Sequence, residues 1–191
     1  MTFHPPDQPV PTGLRTAGAV LRPLTTAYAE IDHAALMSSR ERLRRWSGTD
    51  WPSDEFTVEE NREDLARHER EHGAGVAFTF TVLSPDEREC VGCVYVTPLA
   101  DLADANPELG EVAPHDAVIG FWVVEHRADV EGDLLEDLDR WLTGAWAFRS
   151  VRFSTNTADL RQMDLMESHG FRRVGRVRVP GRRGPSVLWG R

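Results

Sequence analysis

At 191 residues the chain fits one domain and is long enough to bury about two-thirds of its unfolded surface. Its formal net charge of −9 disfavours nonspecific binding to nucleic acid or to an anionic membrane, and all 22 basic residues are arginine, which a GC-rich coding sequence explains as readily as a preference for bidentate pairing. No apolar run reaches the roughly 18 residues of a membrane span, and the N-terminus lacks the charged-then-apolar pattern of a secretory signal, so the sequence predicts a soluble, cytoplasmic protein.

Residues 1–16 hold four prolines and little apolar periodicity, which predicts a flexible leader, with folded structure over 17–191. "AVLRPL" reads as an edge strand, where Pro23 need not donate. A helix follows through "TTAYAEIDHAALMSSRERLRRW", its face drawn from Ala27, Ile31, Ala34, Ala35 and Ser38. Gly48 and Pro52 end it, and Thr57 with Glu60 forms a capping-box signature for a second helix reaching about His72. "VAFTFTVL" alternates as a half-buried strand and "CVGCVYVTPL" returns antiparallel to it. The lone pair Cys90 and Cys93 reads as strand packing, and His68 and His72 as a solvated helix face with no third metal ligand in view.

Residues 100–117 read as an exposed insertion before "AVIGFWVV", a strand apolar on both faces and therefore central in its sheet. A 3.6-residue period through Leu134, Leu135, Leu138, Trp141, Leu142 and Ala145 predicts a helix, "SVRFST" a strand, and Asp159–His169 a helix stopped by Gly170. A closing hairpin runs across "PGRRGP". Its arginines, Arg172, Arg173, Arg176, Arg178, Arg182 and Arg183, lack the interleaved aromatics of a nucleic-acid surface and are expected to pair with the chain's own carboxylates.

The element order, with "WVVEHRADVEGDLL" and "DLRQMDLMESHGFRRVG", resembles the GNAT acetyltransferase superfamily, most closely its ribosomal-protein N-terminal acetyltransferase branch. The resemblance implies a single-domain α/β fold with a mixed, mostly antiparallel sheet flanked by helices. It implies acetyl-CoA as co-substrate and an amine acceptor, and it admits a homodimer. In the family the first motif holds the pyrophosphate on unsatisfied amides at a helix N-terminus, where glycines let phosphate approach. The corresponding cofactor-binding positions are Val123, Val124, Arg127, Ala128, Asp129, Val130, Glu131 and Gly132, with Asn156 beside the second motif.

Departures are concentrated in the same stretches. Ala128 and Val130 stand where two glycines are expected, and Asp129 and Glu131 bring two negative charges toward the diphosphate. Both acids would also stabilise the helix start by themselves, leaving no anion awaited. Asp159 and Gln162 replace an asparagine and a serine, and Met166 occupies the place of a proton-donating tyrosine. The amides of Val123 and Val124 remain candidates for polarising a thioester carbonyl, Glu125, His126 or Asp116 for a base, and Trp46 and Trp51 for walls of an acceptor pocket. Two functions stay open: N-acetyl transfer from acetyl-CoA to a primary amine of a small molecule or protein N-terminus, or a noncatalytic binding module that keeps the fold and has lost the coenzyme.

Overall fold

In a computed structural model describing residues 3–191, one eight-stranded sheet carries every strand. In chain order the elements are β1 (Leu14–Arg15), β2 (Val20–Pro23), α1 (Ala29–Ser38), α2 (Arg40–Ser47), α3 (Val58–Ala74), β3 (Phe78–Leu83) and β4 (Cys90–Pro98). They continue as β5 (Asp116–Val123), α4 (Glu131–Gly144), β6 (Ser150–Asn156), α5 (Leu160–Ser168), β7 (Arg172–Val177) and β8 (Ser186–Gly190). The sheet order is β1-β2-β3-β4-β5-β6-β8-β7, and only β5 and β6 run parallel, which is the mixed, mostly antiparallel sheet expected. Among the described residues no helix is long and apolar enough to cross a membrane.

Strand alternation sorts the two faces. Phe80, Val94 and Phe121 share a register row on one face, where Trp141 of α4 meets Phe80 edge-on at 5.2 Å. Tyr95 and Gly120 share a row on the other, the side of Trp46. Both faces are covered, so β5 is buried along nearly its whole length.

Three details differ from expectation. The first long helix is broken at Ser39, which leaves helical geometry (φ −126°, ψ 20°) and receives the Glu125 amide on its hydroxyl at 2.9 Å. The buried face of α1 is Ala29, Asp32, Ala35 and Leu36, with Ala27 and Ala34 exposed, because Asp32 turns inward to accept from Asn61 at 3.0 Å. The 100–117 segment is anchored: Asn106 is fully buried, donating to Arg178 O at 2.8 Å while its own carbonyl oxygen receives the Arg178 amide at 2.6 Å. Within residues 3–16, Phe3 stacks on Phe148 at 5.0 Å and β1 pairs with β2.

The second helix begins as the sequence reads. The Thr57 side chain accepts from the Glu60 amide and the Glu60 carboxylate from the Thr57 amide, satisfying two donors at once.

Candidate functional site

The site grows from a divergence of strands. Pairing of β5 with β6 runs from Asp116–Ser150 to Ile119–Phe153 and stops, although β5 continues to Val123 and β6 to Asn156. The edge of Phe121 and Val123 that faces β6 is thereby left without a strand partner, and backbone groups must be satisfied otherwise.

The two carbonyls of that edge are taken by side chains. Gln162, fully buried on α5, donates to the Phe121 carbonyl at 2.8 Å. Arg42 of α2, only 3% exposed, donates to the Val123 carbonyl and also to the carboxylate of Glu131, itself 1% exposed. Arg161 of α5 reaches the second oxygen of Glu131 at 2.6 Å. Glu131 thus joins the first turn of α4 to α2 and α5 across the ground expected for a diphosphate.

The loop before α4 is equally engaged. Residues Glu125–Val130 form two 3-10 turns, in which the Arg127 amide donates to Val124 O at 3.1 Å and the Glu131 amide to Ala128 O. Asp129 points to solvent, 3.6 Å from the Arg127 guanidinium. Ala128 is half-buried, and Val130 is buried against Gly18. A Cβ on Gly132 would come within 2.8 Å of the imidazole of His169, at the C-cap of α5, so a larger residue there would need that ring to turn aside. The Val124 amide faces β4, donating to Val91 O at 2.9 Å, while Asn156 is committed to Arg183 O and the Ala158 amide.

Asp159 caps α5 by accepting the Gln162 amide at 3.2 Å, and burial pushes its carboxyl above the usual range. Met166 is fully buried. Of the candidate bases, Glu125 and His126 are exposed on the loop. Asp116 lies at the opposite end of β5; burial would raise its carboxyl, but Arg149, Ser150 and the Ala113 amide hold it at about 2.

A cavity of about 1050 Å³ opens on the Tyr95 face. Trp46 and Trp51 both line it, as does each strand's first residue past the divergence, Gly120 and Ser154. Aromatic planes follow one another along its wall: Arg182 over Trp46 at 5.3 Å, Trp46 to Tyr95 at 5.6 Å, Tyr95 to His68 at 5.5 Å. Burial lowers the pKa of His68, favouring neutral imidazole, with Glu71 and Thr79 at 3.2 Å from Nδ1. His72 turns elsewhere, edge-on to Phe78 and Phe80.

A central parallel pair that separates partway along an otherwise antiparallel sheet is the architecture of the GNAT acetyltransferases, and solved structures agree. The chain superimposes on ribosomal-protein-S5-alanine acetyltransferase from Vibrio fischeri with a TM-score of 0.70 at 14% identity, over 94% of this chain and 95% of that one. It is likewise similar to Mycobacterium smegmatis RimJ in complex with CoA-disulfide, with a TM-score of 0.69 at 18% identity, over 90% of this chain and 80% of that one. RimL, a ribosomal L7/L12 alpha-N-protein acetyltransferase, gives 0.66 at 15%, over 95% and 92%. No family model matches the sequence, and no characterised protein matches it by sequence. At such identities the shared property is the fold.

Sequence reasoning missed Arg42, Arg161, Tyr95 and Arg182. A signal existed for Arg42, an arginine beside Leu43 and four residues before Trp46, on the side of α2 that is buried. Nothing in the linear order joins it to Glu131, 89 residues away.

Proposed function

We propose that this chain is a small-ligand-binding protein on the acetyltransferase fold, keeping the acceptor-side cavity and closing the coenzyme cleft with its own side chains. The observation that carries this reading is the buried bridge from Glu131 to Arg42 and Arg161. A coenzyme in the family's manner needs free amides at the start of α4 and a free strand edge at Phe121–Val123. Here the Arg127 and Glu131 amides are spent in 3-10 turns and both edge carbonyls are taken. As they stand, these contacts leave the diphosphate and pantetheine neither those two amides nor those two carbonyls. Parting a buried ion pair costs about 3 to 5 kcal/mol, which would lower any coenzyme affinity by about two to four orders of magnitude.

A second reading is N-acetyl transfer from acetyl-CoA to a primary amine on a small molecule or protein N-terminus. It is favoured by the position of the cavity, whose floor at Gly120 and Ser154 sits at the strand divergence, and by solved neighbours that are acetyltransferases, RimJ among them with CoA-disulfide. In that reading Arg127 through Gly132 would move to meet the pyrophosphate, with Val123, Val124 and Asn156 along the pantetheine. Thermal shift separates the two. A ligand at 100 times its Kd adds about 2.7 kcal/mol, or about 5 to 10 °C for a domain of this size. We expect millimolar acetyl-CoA to leave Tm unmoved; a shift of that size, with amine-dependent release of free coenzyme thiol, would replace the binding reading with the enzymatic one.

A further inference from the structure

Arg172, Arg176 and Arg178 of the C-terminal hairpin, none of which lines the cavity, meet no carboxylate among the described residues, whereas Arg173 meets Glu167 at 2.6 Å, Arg183 meets Asp50 at 2.8 Å, and Arg191 meets Glu136 at 2.6 Å. Arg182 stands apart from both groups. It is half-buried, lines the cavity, and lies over the Trp46 ring with no carboxylate partner among the described residues, in a chain with 31 acidic residues against 22 arginines. Burial pulls its pKa below the usual arginine value, with only the Tyr95 hydroxyl opposing, as befits a cation withdrawn from water without a counter-ion.

Its placement is held from both sides in the chain. The Arg182 amide closes a turn onto Val179 O at 3.1 Å, and the next amide, of Arg183, donates to Gly48 O at 2.6 Å. Asn156 then donates to Arg183 O at 3.0 Å. The hairpin tip is thereby tied to the end of α2, two residues from Trp46, and the Arg182 guanidinium projects along the indole. The cavity's acids lie on α3: Glu60 is held in the capping box and Asp64 pairs with Arg67 at 2.5 Å, while Glu63 stands exposed at the rim with no cation partner among the described residues.

Resting on the cavity as the ligand site, we propose that it binds an organic anion with a flat apolar body. The body lies along Trp46 and Tyr95, and its carboxylate is taken by the Arg182 fork, whose planar donors suit a two-oxygen acceptor. Stacking supplies area, and the guanidinium supplies the sign of the charge selected.

Two probes of similar body and opposite charge test this by calorimetry: indole-3-acetate and tryptamine. We expect indole-3-acetate to bind at least tenfold more tightly than tryptamine, and Arg182→Gln to lose at least tenfold of the anion's affinity with Tm unchanged. Arg182→Lys, which keeps the charge and loses the fork, should bind the anion more tightly than Arg182→Gln and more weakly than the wild type, and should Arg182→Gln fail to fold, wild-type affinity in Arg182→Lys would overturn the proposal. Equal or tighter binding of tryptamine, unaltered anion binding by Arg182→Gln, no affinity of Arg182→Lys above that of Arg182→Gln, or no binding of indole-3-acetate up to millimolar concentration would overturn the proposal. Neither probe contains coenzyme, so a Tm rise with acetyl-CoA would overturn the closed-cleft reading and leave this one standing.

Discussion

Asp32 shows how a single buried carboxyl shapes the response to pH. It lies on the hidden face of α1, accepting from Asn61 at 3.0 Å and from the Cys90 thiol, with no cation as partner. Burial raises its pKa from 3.8 to about 6, the two hydrogen bonds only partly opposing. A carboxyl with a raised folded-state pKa favours the fold while protonated, so its contribution is complete below about pH 4 and is lost as pH climbs through 6. The loss amounts to about 3 kcal/mol at neutral pH. Asp32→Asn keeps the shape without the ionisation. The stability of Asp32→Asn relative to the wild type should therefore rise by about that amount between pH 4 and pH 7, measured by urea denaturation. A difference that stays constant across this window would show that Asp32 is not titrating as described. At this scale the sequence was least legible: the spacing of α1 placed its apolar face one step round the helix, because nothing local says that an aspartate will be buried by an asparagine on α3.

Elements were read better, since caps and alternation act within a few residues. The capping box at Thr57, the β3–β4 hairpin and the α5 stop at Gly170, with its φ of 77°, all follow from nearest neighbours. What escaped is a β-bulge: Val82 pairs with Gly92 and Leu83 with Cys90, so β4 carries an extra residue at Val91. Gly92 sits beside this irregularity with β5 close behind it, and a Cβ there would fall 2.1 Å from the Trp122 carbonyl oxygen. That neighbour is backbone in the middle of the sheet and cannot step aside cheaply. Gly92→Ala should cost about 4 kcal/mol or more, near the exceptional end of single substitutions, whereas Gly144→Ala, with nothing nearby, should fall within about 0.5 kcal/mol of neutral. Paired denaturation curves check this; similar stabilities would mean β4 and β5 are not so closely apposed. The break of the first helix at Ser39 belongs here too, as its hydroxyl is claimed by Glu125 from another element.

Across the whole molecule, the Arg42–Glu131–Arg161 group ties α2, α4 and α5 together behind the strand divergence. A surface loop acid could be removed for about 0.5 kcal/mol or less. Removal of Glu131 would instead strand Arg42 in a buried site, at a cost of about 3 to 5 kcal/mol. Glu131→Ala should accordingly lower Tm by about 10 °C, while Asp129→Ala, exposed beside Arg127, should leave it nearly unchanged. Equal effects from the two substitutions would contradict the buried bridge and return Glu131 to the loop surface. The same contrast decides how the two acidic departures in the loop are understood: one is a solvated neighbour of Arg127, the other a structural tie.

By itself the sequence determined the order of the elements and the central place of β5, because periodicity and caps are written in neighbouring residues. It also showed Ala128 and Val130 where the resemblance expects two glycines, with Gly132 kept. Only the tertiary structure decided where the displaced charge goes and what takes the strand edge instead, since Arg42, Glu131 and Arg161 lie far apart along the chain and burial of an ion pair depends on every element around it. The same holds for Arg182, whose want of a carboxylate is visible only once all the chain's acids have been placed in space.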